Sequence, residues 1–406
     1  MSNWFKNIGP ASLVAAAFIG PGTVTICTIA GVKFGFALLW AMLLSVFTTL
    51  VLQEMSARLG IISKKGLAQI IRFEIKNPFF RFLAILLILS AIVIGNAAYE
   101  AGNISGGVLG LETIFGSKRL ELGLFSLNYF SLAIGVVAFV LLYIGNYKVL
   151  EKALVSLVVL MSFAFVITAI ITKPSLTNIV KGFVPQFPEN SIFIIVGLIG
   201  TTVVPYNLFL HASLVKEKWQ KKSDLKYARK DTVIAVLLGG LVSMCIIIAA
   251  SAIQSTEVTN ATDLAKGLEP LFGTYSKYFL AIGLFAAGIT SAITAPLAAA
   301  FVASGCLGWS SSMKTKRFRT VWIIILALGV LSSSSGIKSI EIIKFAQVAN
   351  GILLPVIAGF LLWIVNKRSV LGKFINSSVQ NVLGFIILAI TLFLGLKSIL
   401  KVFEFI

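Results

Sequence analysis

A chain of 406 residues that is 58% hydrophobic and only 12% charged, with a mean hydropathy of +0.99, is not a water-soluble globule; soluble domains carry about 25% charged residues. The composition predicts an all-α polytopic membrane protein. Its formal charge of +19 is accounted for by basic cytoplasmic loops and anionic headgroups, so the lipid bilayer is an expected partner and nucleic acid is not.

The start, Met1-Ser2-Asn3-Trp4-Phe5-Lys6, leads into an apolar run without a small-residue cleavage site, and the first span is expected to stay in the mature chain. Apolar segments of roughly 17 to 25 residues predict about eleven spans. They fall at residues 10–32, 37–60, 79–108, 126–146, 150–172, 190–215, 231–254, 276–303, 318–333, 341–365 and 380–400. Lysines and arginines crowd the loop after span six, from Lys216 to Lys230. They recur after span two (Lys64, Lys65, Arg72), span four (Lys148, Lys152) and span eight (Lys314, Lys316, Arg317). By the positive-inside rule these loops are cytoplasmic. The amino terminus is then inside and, after an odd number of spans, the carboxyl terminus outside. The expected location is the cell membrane, of the bacterial inner-membrane kind, and the expected state a monomer. Cys27, Cys245 and Cys306 lie in apolar surroundings without metal-ligand spacing, which argues against disulfides and a thiolate metal site.

Two of these spans are interrupted. Gly20-Pro21-Gly22-Thr23 breaks span one and Val204-Pro205-Tyr206-Asn207 breaks span six. A proline removes a backbone donor and clashes with the preceding turn, and backbone groups freed in this way survive at membrane depth only inside protein or beside a wet cavity. Either break alone is also what a simple proline kink would look like. Their matching positions fit two copies of a five-helix unit, residues 1–175 and 176–368, with 369–406 as an added eleventh helix. An odd number of spans per copy forces opposite orientations, which is the inverted-repeat plan of LeuT-like transporters, with a midplane site where the breaks meet.

The residues also carry a family resemblance. The stretch from Gly9-Pro10-Ala11 to Gly31, the end of span two at Ser56-Ala57-Arg58-Leu59-Gly60, and Gly200 through Val204-Pro205-Tyr206-Asn207 to His211 resemble the NRAMP family of divalent metal transporters. So do Lys148-Val149-Leu150-Glu151, Gln347, Leu354-Pro355 and Asn366-Lys367-Arg368, which extend the likeness over nearly the whole chain. The resemblance implies a LeuT-like fold and alternating access. It also implies a metal site, in which span one supplies Asp and Asn from Asp-Pro-Gly-Asn and span six a methionine sulfur from Met-Pro-His. Here those positions hold Gly20, Thr23 and Val204, followed by Tyr206. What remains is neutral: Thr23, Thr25, Tyr206, Asn207, Gln347 and Asn350, of which Thr23, Asn207 and Gln347 are the candidate metal ligands. A soft transition metal would lose its sulfur and its carboxylate.

The family's proton route is altered in the same way. Of its span-three acids Glu100 is kept and Asn103 stands at the second position, while span nine, from Trp322 to Ser335, has no arginine or lysine. His211, the one histidine, reads either as a hydrogen-bonded interior residue or as a relay with Glu100; Glu100 reads either as that relay or as a charge reaching headgroups. Glu54 and Arg58, at i and i+4, fit a structural ion pair. No Walker, Rossmann or nucleophile motif appears, so neither an enzyme nor a cofactor is expected. The expectation is an NRAMP-related secondary transporter for a hard, partly hydrated divalent ion such as Mg²⁺ in place of Mn²⁺ or Fe²⁺, with proton coupling weak or absent. The alternatives are a small anionic or zwitterionic solute at the same site and, more distantly, a sensor that keeps the fold.

Overall fold

Without water to bond to, a lipid-facing backbone must satisfy itself, and the apolar runs therefore become helices. The structure, a computed structural model, describes residues 19–122, 125–145, 148–254 and 257–403. In chain order its main helices are α1 (Pro21–Phe34), α2 (Leu39–Ser63), α3 (Pro78–Phe115), α4 (Tyr129–Ile144), α5 (Lys148–Ile171), α6 (Ile192–Thr202), α7 (Pro205–Lys218), α8 (Leu225–Ala250), α9 (Ser276–Leu307), α10 (Lys316–Ser333), α11 (Ser339–Val365) and α12 (Ser378–Val402). Polar side chains mark several starts: Asn77 accepts from the Phe79 and Phe80 amides, Asn128 from those of Phe130 and Ser131, and Ser377 forms a capping box with Gln380.

Among the described residues eight helices are long and apolar enough to cross a membrane, counting α6 and α7 together. These are spans two, three, five to eight, ten and eleven of the sequence reading. The other three are shorter or more charged as described. For span one, residues 10–18 lie outside the described residues and α1 is its second half; α4 has 16 residues; α10 opens on Lys316, Arg317 and Arg319. Two boundaries need correction. Span four starts at Tyr129, because Phe125–Asn128 is instead a strand that pairs antiparallel with Arg119–Leu122. Span seven starts at Leu225, so Lys226, Arg229 and Lys230 stand on the first turns of its helix.

α3 packs most extensively against α9, α10 and α11 through its buried second half, Gly95 to Gly110. Small residues permit this closeness. A Cβ at Gly288 of α9 would sit 2.7 Å from the Gly107 nitrogen of α3, which is the helix approach expected of the small-residue run from Gly288 to Ala300. Side chains such as Val136 of α4, Phe163 of α5 and Phe393 of α12 project outward and exposed, as suits a hydrocarbon surrounding.

Candidate functional site

Both sequence breaks are helix starts. Gly20 is extended (φ −83°, ψ 177°) with Pro21 as the first residue of α1, and Val204 is extended (φ −71°, ψ 122°) with Pro205 as the first residue of α7. Proline suits that position because the missing N–H would be unbonded there in any case. No side chain caps either helix, so the amino-terminal ends of α1 and α7, each carrying a partial positive charge, are left to other partners. α6 ends just before the second break, at Val203 (φ −96°, ψ 70°). Its last carbonyls have no further turn to bond.

Three helices converge here, since α1, α6 and α11 pack on one another. Thr23 and Thr201 share a hydroxyl hydrogen bond of 2.8 Å between α1 and α6. Gln347 of α11 lies directly on Gly22, where an added Cβ would collide with its amide, and the backbone carbonyl of Gln347 lies equally close to Gly200 of α6. Several buried polar atoms on the broken helices and α11 have no hydrogen-bond partner among the described residues: both amide atoms of Asn207, Oε1 of Gln347, Nδ2 of Asn350 and, on the far side of α1, Oγ1 of Thr25. These four residues are all buried at the 0–1% level. Each such orphan costs about 1–3 kcal/mol unless something fills it, so their concentration beside the breaks points to water or cargo.

The predicted residues do not all converge. Thr25 is two positions from Thr23, and at 100° per residue it faces nearly the opposite side of α1. Val204 is fully buried and contributes backbone at the break. The Tyr206 ring meets Tyr99 of α3 edge to face at 5.4 Å, joining the second break to the helix of Glu100. Glu100 itself is fully buried, away from headgroups. Its Oε2 accepts from Asn103 Nδ2 at 3.4 Å, Oε1 has no partner, and its Cγ packs on Gly329 of α10. His211 of α7 bonds through Nδ1 to the Gln53 side-chain oxygen on α2, leaving Nε2 without a partner. Glu100 and His211 therefore have separate neighbours on separate helices, and no hydrogen bond joins them. Beyond the site, Glu54 bridges Arg58 (3.2 Å) and Arg229 (2.7 Å), while Arg58 also donates to Phe374 O and Asn376 Oδ1 at 2.6 Å each.

Sequence reasoning missed Thr201 and Tyr99. Thr201 had a signal, as one of two hydroxyls, with Thr202, just before the second break in a helix apolar up to that point. Tyr99 had only its place beside Glu100. Among the described residues no group of three or more His, Cys, Asp or Glu could hold a metal, and Met42 Sδ lies 3.8 Å from Thr202 Oγ1 at the end of α6.

The family model for natural resistance-associated macrophage protein-like (Nramp) sequences matches residues 11–401. The chain belongs to the Nramp family. Among its relatives is the divalent metal cation transporter MntH of Bradyrhizobium diazoefficiens, 28% identical over 97% of this chain and 90% of that one. Among solved structures, a manganese transporter of Eremococcus coleocola superposes with a TM-score of 0.76 at 21% identity, covering 99% of this chain and 88% of its own. MhsT, solved with L-phenylalanine, gives a TM-score of 0.56 at 16% identity over 96% of this chain and 98% of its own. At such identities the structural matches speak to fold alone, and they place this Nramp protein in the LeuT-like architecture expected from its two breaks. It is a membrane transporter and not an enzyme.

Proposed function

We propose that this Nramp protein moves a divalent cation by alternating access, and that the ion is hard and partly hydrated, with Mg²⁺ the leading example and Mn²⁺ or Fe²⁺ disfavoured. The relatives' names support a divalent metal as cargo. The observation that carries the finer reading is the donor set at the breaks among the described residues: the unpartnered Asn207 amide and Gln347 Oε1 with the Thr23–Thr201 hydroxyl pair, while Met42 Sδ already accepts from Thr202 Oγ1 at 3.8 Å and Glu100 is held by Asn103. Mg²⁺ holds its waters tightly and accepts neutral oxygen partners, so Thr23, Asn207 and Gln347 would bind the hydrated ion. Partial negative charge at the end of α6 would offset part of its charge.

Proton coupling is proposed to be weak or absent, because Glu100 has no basic partner in α10 and no bond to His211. The amino terminus is proposed to be cytoplasmic and the carboxyl terminus outside, supported by the basic residues between spans six and seven. The two repeats are proposed to cover 1–175 and 176–368.

One observation favours a second cargo. The uncapped amino-terminal ends of α1 and α7 would attract an anionic or zwitterionic solute, and that reading predicts uptake of amino acids or small organic anions. Reconstituted vesicles separate the two. Binding and uptake of Mg²⁺, Mn²⁺ and Ca²⁺ are measured beside amino acids and organic anions. The metal reading expects Mg²⁺ to be preferred, and it falls if no divalent ion binds or moves at millimolar concentration.

A further inference from the structure

On the outward, apolar side of the molecule a groove of about 800 Å³ runs between α2 and α12. Its walls include Trp40 and Phe47 of α2, Phe183 and Phe187 of the segment leading to α6, and Ala389 and Phe393 of α12. The groove is built as well as apolar. Trp40 Nε1 donates to Gln186 O at 3.0 Å, and its ring meets that of Phe187 edge to face at 5.2 Å, which fixes the aromatic wall. In a bilayer such a space is filled by hydrocarbon.

The mouth of the groove carries charge. Ala389, Phe393, Lys397 and Lys401 are spaced four apart, so they form one stripe along α12, with the two lysines continuing the wall toward the helix end. Lys397 Nζ stands 5.4 Å from the centroid of Phe187, over the groove's own rim, and Lys401 Nζ donates to Asn190 Oδ1 at 3.0 Å. Among the described residues neither lysine has a carboxylate partner. Lysines near helix ends reach for the interface, where the anion at hand is a lipid phosphate.

We propose that this groove binds an anionic phospholipid, its acyl chain along Trp40, Phe47 and Phe393 and its phosphate at Lys397 and Lys401. The lipid thereby bridges α2, which carries Gln53, to the added eleventh span.

The test uses the purified full chain in detergent, with native mass spectrometry of bound phosphatidylglycerol and phosphatidylcholine of identical acyl chains. The wild type is expected to prefer phosphatidylglycerol, with roughly fivefold of that preference from each lysine. Lys397→Gln with Lys401→Gln is expected to remove the preference while phosphatidylcholine still binds. Ala389→Trp, at an exposed position, is expected to fill the groove and displace both lipids. Equal binding of the two lipids by the wild type would overturn the proposal. So would a preference that survives the double lysine change, unchanged binding in Ala389→Trp, or a dimer mass that Ala389→Trp abolishes, which would make a second copy of the chain the occupant.

Discussion

The chemistry of the breaks turns on single atoms, and Gly22 is the most telling of them. The nearest atoms to an added methyl there all belong to the far end of the Gln347 side chain, which can swing away at little cost to the fold. Gly22→Ala is therefore expected to leave the melting temperature near that of the wild type while weakening cargo binding. Loss of one ligand contact to a charged group is worth about 1.5–3 kcal/mol, roughly tenfold or more in affinity by calorimetry. Unchanged affinity would remove Gln347 from the ligand set. The complementary change restores the donors implied by the family resemblance. Gly20→Asp, Thr23→Asn and Val204→Met together are expected to create Mn²⁺ binding, since they return a carboxylate and a soft sulfur to positions at the two helix starts. If the triple variant binds Mn²⁺ no better than the wild type, the metal does not sit between these breaks.

At the scale of helices the same glutamine has a second face. Gly200 of α6 abuts the backbone carbonyl of Gln347, and the Gly351 nitrogen lies 2.6 Å from where its Cβ would be. Backbone cannot swing aside, so Gly200→Ala must push α6 from α11. Overpacking of this kind costs about 1–3 kcal/mol, read as a lower melting temperature in detergent where Gly22→Ala shows none. Arg58 makes a similar argument at the other end of α2. It is a buried guanidinium forked across Phe374 O, Asn376 Oδ1 and Glu54, tying α2 to the connection before α12. Removing one side of a buried charged network costs about 3–5 kcal/mol. Arg58→Ala should approach that figure, and Arg58→Lys should recover little of it, because an ammonium cannot span the fork. Full recovery by lysine would show that charge alone matters. The Glu54–Arg58 pair was legible as an i, i+4 spacing, whereas its partners 374 and 376 were not, because nothing local marks a contact between residues so distant in sequence. The hairpin at 119–128 escaped for another reason: its apolar residues merged with those of span four, and only the helix-capping Asn128 separates them.

For the whole molecule, composition and the two prolines were enough to give the membrane class, the LeuT-like fold and two helices that start at proline breaks, since hydrocarbon leaves the backbone so few options. Less legible was which way polar side chains point. Glu100 and His211 look like neighbours in a relay, yet α3 turns Glu100 onto Gly329 of α10 while α7 turns His211 onto Gln53 of α2. That separation is what supports the proposed absence of proton coupling. On the proposed reading, in which no carboxylate among the described residues ligates the ion, each Mg²⁺ moved inward would carry two net charges across the membrane. An inside-negative potential then supplies about 4.6 kcal/mol per 100 mV for two charges, enough to drive accumulation without protons. In vesicles under a potassium diffusion potential, uptake is expected to rise steeply with the imposed voltage while a trapped pH dye stays flat, in the wild type and in Glu100→Gln alike. Lumen acidification that tracks uptake and disappears in Glu100→Gln would instead make Glu100 the proton carrier and end the uncoupled reading. Acidification that persists in the variant would show coupling by a route that bypasses this carboxylate.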